Sequence, residues 1–341
     1  MRVPRTLAWF LLAITFLTAG LLRQYHAETP RSPFAPALVG SLLFAVVFLL
    51  LLVAAREWRL GPKPGRGVRF GSLAPILLML LAEKWISIGL YPPVFMVVTP
   101  MHAPDAELDA WYRAFAGAGL LLSCVLLGAF SPPAAGRTWT MARPSRWPSG
   151  AAGTALAVGG TYALLWAASK ALGGGLSLSW PKPGPLLTWV IVGQALRAFA
   201  EEVYYRGLLL TEMLRIAPRL GARGQVARRW AALVPTSVLF ALEHLVVGPP
   251  WDVPLRQAVF IGSLGLLFGI LVLVTSNLHF AAGIHAWINC LVLGAAPHFV
   301  DAAGRPVLPA GTYVGVGLAL TFVLSFLWSR RTRREGDAAP A

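Results

Sequence analysis

Two adjacent carboxylates, Glu201 and Glu202, stand inside an otherwise apolar stretch, with Arg197 before them and Arg206 after. On a helix, i,i+4 spacing lays Arg197 against Glu201 and Glu202 against Arg206, so each carboxylate has a local cation. Neighbouring residues project about 100° apart. One carboxylate can therefore face a reaction cavity while the other is tied into the fold; a buried ion-pair ladder that only orients helices is the competing reading. Further along, Phe240 and His244 lie one turn apart on one face, as do His285 and Asn289. Together these side chains suit the activation of water. A buried carboxylate takes a proton from water, and an imidazole orients that water or shares the proton. Asn289 and the second histidine are donors for a tetrahedral oxyanion, worth ~3 to 4 kcal/mol for one donor in other hydrolases. A serine or cysteine nucleophile is not indicated: there is no Gly-x-Ser-x-Gly, and Cys290 points about 100° away from Asn289. Glu243, beside His244, reads as a passenger rather than a further carboxylate of the site.

These polar residues sit in a chain built for lipid. Of its 341 residues 57% are apolar and 13% charged, with a mean hydropathy of +0.66, which excludes disorder and most soluble classes. Apolar runs near 6–22, 35–54, 71–91, 112–130, 151–172, 186–210, 230–248, 257–275, 278–296 and 311–328 read as membrane spans. The first is long for a signal peptide and is read as a retained anchor. Ionisable groups at bilayer depth cost a few kcal/mol each and usually mark a cavity, a partner or a function. In the first five spans only Glu83 and Lys84 are central, and they read as structural.

Basic residues decide the orientation. With ten spans, nineteen Lys and Arg fall in the loops on one side and six on the other, which places both termini in the cytoplasm. The net charge of +15 is then topology-setting charge beside an anionic leaflet, and no nucleic-acid partner is implied. Cys124 and Cys290 both lie in apolar segments, so no disulfide framework is on offer. Apart from the Pro/Gly/Arg loops at 61–67 and 131–149 there is no low-complexity tract, and no inverted repeat of the transporter kind. The expected fold is an all-α, polytopic transmembrane bundle of about ten spans. A breaker-rich connection at 173–185 separates an N-terminal region, 1–180, of unknown role from a core at 181–300, followed by a last helix and basic tail at 301–341.

The order Glu201-Glu202-x-x-x-Arg206, Phe240-x-x-x-His244, His285-x-x-x-Asn289 on successive membrane helices resembles the CPBP family of intramembrane proteases. That family includes type II CAAX prenyl endopeptidases, bacteriocin-processing proteins and the abortive-infection group. Gly207, Thr236-Ser237 and Thr275-Ser276-Asn277-Leu278 match its context as well, over about residues 186–296. The resemblance implies an intramembrane endopeptidase with Glu201 as general base and His244 as its partner on the attacking water. His285 and Asn289 would form the oxyanion site, with Glu202, Arg206 and Phe240 in support. A cofactor is not favoured; in the open alternative, zinc, Glu201, His244 and His285 would be the ligands and Glu202 the base. Against zinc stand the missing His-Glu-x-x-His and the poor ligand Asn289. The implied partners are bilayer lipid and a peptide or protein with a membrane-associated tail or leader. A composition rich in Ala, Gly, Arg and Pro points to a bacterial cytoplasmic membrane. The competing function is a non-catalytic peptide-binding or immunity protein of the same family.

Overall fold

A computed structural model describes residues 114, 117–121, 124–125, 132–171, 177–244 and 252–337. The spans expected at 6–22, 35–54 and 71–91, most of 112–130, the loop at 61–67, and Glu83, Lys84 and Arg113 lie outside the described residues. In chain order the elements are α1 (Pro132–Met141), a 3-10 turn (Pro144–Arg146), α2 (Trp147–Ala171), β1 (Ser177–Ser179) and α3 (Pro185–Glu202). A π-helical segment (Val203–Leu209) leads into α4 (Leu210–Ile216) and a 3-10 turn (Ala217–Leu220). Then come α5 (Gln225–Glu243), α6 (Asp252–Thr275), α7 (Leu278–Val292), β2 (His298–Val300) and α8 (Ala310–Asp337).

Among the described residues, 144–171, 256–275 and 310–328 are helical, apolar and long enough to cross a membrane. Exposed tryptophans flank them: Trp147 and Trp328 near one end, Trp166, Trp180 and Trp189 near the other, the placement of aromatic belts at the two interfaces. The chain is an integral membrane protein. Cys124 and Cys290 are both buried, and no disulfide joins them.

The described residues are mostly helical, as expected of an all-α bundle, with one small addition: β1 and β2 pair antiparallel, with Ser177 opposite Val300 and Ser179 opposite His298. Both strands lie in interhelical connections that meet at one end of the bundle, where pairing satisfies their backbone groups. One expectation needs correction: the stretch 131–149 is not a loop but forms α1, a 3-10 turn and the start of α2. Its prolines fall in first turns, at 132, 133, 144 and 148, where the missing N–H has no intrahelical partner to lose.

The strand pair joins the start of α3 to the end of α7. At the other end Phe199 of α3 stacks on His279 in the first turn of α7, with ring centroids 5.1 Å apart, so the two helices run antiparallel. Asn277 sets where α7 begins. Its Oδ1 accepts from the N–H groups of His279 and Phe280, at 3.0 and 3.2 Å, and its Nδ2 donates to Arg146 O at 3.2 Å and Ser149 Oγ at 3.1 Å. Arg146 returns a bond to Ser276 O at 2.9 Å, and Ser276 takes the left-handed φ of 51° that the tight turn requires. Asn277→Ala is expected to lower stability by about 1 to 2 kcal/mol, read as a drop in thermal midpoint in detergent. Asn277→Asp keeps the cap acceptor and loses only the two donations, so its drop is expected to be smaller.

Candidate active site

The site begins where α3 changes pitch. Glu201 is almost fully buried, and Arg197 Nε donates to its Oε1 at 2.7 Å. Beyond Glu202 the backbone widens into the π segment, in which Leu210 N–H reaches back five residues to Tyr205 O. Such π turns recur at functional sites because they re-aim side chains within an otherwise regular helix. Here the wide turn stacks Arg206 against Glu202, with Nη1 to Oε1 at 3.2 Å and both side chains buried. Gly207 follows because α1 presses on this turn: a Cβ there would collide with the side chain of Thr138.

α5 brings His244. The helix starts at Gln225, earlier than the Trp230 start read from hydropathy, and ends at Glu243, with His244 as its C-cap. The depths of His244 and Glu201, which differ if counted from Trp230 and Leu186, are reconciled by this geometry, since His244 Nε2 lies 3.5 Å from Glu201 Oε2. The hydroxyls of Thr236 and Ser237 bond to the carbonyls of Ala232 and Leu233, beside Pro235 inside the helix. They serve the backbone and are not nucleophiles.

α7 brings His285, whose Nδ1 donates to Glu202 Oε1 at 2.9 Å. His244 Nδ1 lies 2.7 Å from Phe240 O. Carbonyl and carboxylate oxygens only accept, so both Nδ1 atoms carry hydrogen and both Nε2 atoms are left for other work. Both face Glu201 Oε2, at 3.5 Å from His244 and 3.6 Å from His285. That oxygen is buried and accepts no hydrogen bond.

Aromatic rings wall the cluster. Phe240 lies 4.4 Å from the His244 ring and 5.9 Å from His285, and the Arg206 guanidinium sits 4.2 Å over its face. Tyr205 packs edge-on against Phe240 at 5.0 Å. Sequence reasoning missed the contribution of α6. Phe268 stacks on His285 with centroids 5.0 Å apart, and Gly265 O accepts from Arg206 Nη2 at 3.2 Å. A Cβ on Gly265 would press on Phe240 at 3.1 Å, Ser237 at 3.3 Å and Arg206 at 3.4 Å, so glycine is what lets α6 approach. The only signal in the sequence is a run of glycines in an apolar helix, which does not mark a site.

The structure thus brings together Arg197, Glu201, Glu202, Arg206, Phe240, His244 and His285. Asn289 stands one turn beyond His285 on α7, half-buried, and no hydrogen bond joins its side chain to the cluster. The side chain of Glu243 lies outside the described residues. Among the described residues, no three His, Cys, Asp or Glu side chains converge as a metal-binding group.

Phe268→Leu keeps most of the apolar volume and removes the ring stacked on His285. Such a ring pair is worth about 0.5 to 1.5 kcal/mol, so kcat for the reaction proposed below is expected to fall up to about ten-fold with KM little changed. Phe268→Ala is expected to cost about 3 to 5 kcal/mol of stability as well, visible in detergent unfolding.

None of the curated proteins and none of the solved structures matches the chain. A family model does: residues 183–291 match the one described as Type II CAAX prenyl endopeptidase Rce1-like. The match opens just ahead of α3 and closes near the end of α7, taking in both carboxylates, both histidines and Asn289. This Rce1-like match, over about a third of the chain, supports membership of the CPBP family of intramembrane proteases.

Proposed function

We propose that the chain hydrolyses a peptide bond in a membrane-associated tail or leader by water held between Glu201, His244 and His285. The observation that carries this reading is the convergence of two imidazole Nε2 atoms on one buried, unpaired carboxylate oxygen. Three acceptors facing one another call for a donor between them, and a water molecule supplies two hydrogens. Glu201 takes one proton as the oxygen attacks the carbonyl carbon, with His244 aligning the water. Glu201 passes that proton to His285 Nε2, 3.6 Å away and held by Glu202 at Nδ1, and the N–H so formed meets the oxyanion together with Asn289 Nδ2. Collapse breaks the C–N bond as the same proton returns through Glu201 to the leaving amine. Arg206, held by Glu202, Gly265 O and the Phe240 face, keeps the Glu202–His285 pair in place.

The reading is metal-free. It is favoured by the donor set: His285 and His244 point at a carboxylate already bound to Arg197, and Asn289 replaces a third good ligand. The wider proposal keeps about ten spans with both termini cytoplasmic, a core at 181–300 between an N-terminal helical region at 1–180 and a last helix and tail at 301–341, and a bacterial cytoplasmic membrane. Leader or sorting peptides are the favoured substrates, and prenylated tails of the kind in the family's description are the second class.

The test is cleavage of a pool of membrane tails and leaders, prenylated and unprenylated, by protein purified in detergent, with and without a chelator. Cleavage that survives the chelator and disappears in Glu201→Gln supports the reading. Cleavage abolished by chelator and restored by zinc would replace it with the metal mechanism. Peptide binding without cleavage would favour the non-catalytic alternative.

A further inference from the structure

Gln194 is the residue the mechanism leaves unused. It is fully buried in α3, and neither its Oε1 nor its Nε2 has a hydrogen-bond partner. Other described side chains also leave a buried atom open, Ser169 Oγ and Glu202 Oε2 among them, but Gln194 leaves open both ends of an amide. Thr138, Thr161, Ser237, Thr321 and Ser325 each donate to the carbonyl four residues earlier. The buried amide of Asn277 is used at both ends. A leucine of similar size would serve packing at position 194 better than an amide stripped of water with nothing to bond. Among the described residues nothing pairs with it, and a ligand that brings a donor and an acceptor would.

Its position says which partner. Gln194 precedes Glu201 by seven residues, almost two full turns, so the two lie within about 20° on one face and about 10 Å apart along the axis. The displacement is toward the end where β1 and β2 tie the start of α3 to the end of α7. An extended peptide advances about 3.3 Å per residue. With its scissile carbonyl at Glu201 and its chain along α3, a peptide places the main-chain amide about three residues away beside Gln194. A carboxamide carries one acceptor and two donors, the complement of a main-chain N–H and C=O. We infer that Gln194 binds the main chain of an extended substrate about three residues from the bond that is cut, and so selects peptide length and conformation rather than side-chain identity. The contact forms as the peptide enters beside α3.

This inference rests on the proteolytic reading, and the test separates the two. Gln194→Leu, alone and combined with Glu201→Gln, is compared with wild type and with Glu201→Gln alone on the same labelled peptide pool. Turnover gives kcat and KM; fluorescence polarisation with the Glu201→Gln proteins gives Kd without cleavage. For long peptides Gln194→Leu is expected to raise KM and Kd about ten-fold, a typical loss for a buried polar pairing. The value of kcat is expected to stay within about two-fold, and the thermal midpoint not to fall. For peptides that stop within two residues of the cut bond, on the side that lies along Gln194, the two proteins are expected to behave alike. Unchanged Kd for long peptides, an equal loss for short and long ones, a lowered midpoint, or no binding by any peptide overturns the inference. Binding that depends on Gln194 without turnover by wild type overturns the proteolytic reading and leaves the peptide contact standing.

Discussion

Glu201→Gln is expected to reduce peptide cleavage by about a hundred- to ten-thousand-fold, with KM nearly unchanged. The amide has the shape of the carboxylate, and its oxygen can still accept from Arg197, 2.7 Å away in the wild type. It cannot take a proton from water. Its NH2 group would also face the Nε2 atoms of His244 and His285 as a donor, and fill the role that the attacking water needs. The fold is expected to tolerate the change, because Arg197 is about a third exposed and is not stranded as a buried charge. Single-turnover cleavage with a parallel thermal midpoint checks both parts. A variant that keeps substantial activity at an unchanged midpoint would move the general base elsewhere, with Glu202 as the remaining carboxylate of the cluster.

Glu202→Leu is expected to be the most damaging to the fold. It leaves the Arg206 guanidinium buried with only Gly265 O, the Phe240 and Phe268 rings and Tyr205 around it. Removing one partner of a buried ion pair costs about 3 to 5 kcal/mol. The same change strips His285 Nδ1 of its acceptor, so activity falls in whatever protein remains folded. The double variant Glu202→Leu with Arg206→Met removes both charges for apolar groups of similar size, and is expected to recover most of the lost stability. It is not expected to recover cleavage, because His285 still lacks its orienting carboxylate. Unfolding in detergent followed by a rate measurement on the folded fraction separates the two effects. Full recovery of activity in the double variant would reduce Glu202 to a stabilising ion pair.

Much of this was legible because the physics is local. The spacing Arg197 to Glu201 and Glu202 to Arg206 couples residues one turn apart, and such couplings hold in any fold that keeps the helix. Runs of apolar residues at 151–172, 257–275 and 311–328 announce helices because backbone groups in lipid must bond within their own segment. The π segment was not legible, because no spacing of residue types distinguishes a five-residue reach from the four-residue one, and the close approach of Thr138 at Gly207 is a tertiary contact. The helix at 132–141 was hidden by prolines, which break helices in general but are tolerated in a first turn.

By itself the sequence determined that this is a helical membrane chain, that its second half holds paired carboxylates beside two histidines and an asparagine, and which of those share a helix face. Periodicity carries that information, since side-chain direction repeats every 3.6 residues regardless of what packs outside. Only the tertiary structure decided that His244 and His285, from different helices, meet at one oxygen of Glu201, that His285 is held by Glu202, and that Phe268 and Gly265 of a motif-free helix complete the wall. Those contacts join residues 17 to 84 positions apart. Their geometry follows from helix crossing and close approach at glycine, which no local pattern encodes.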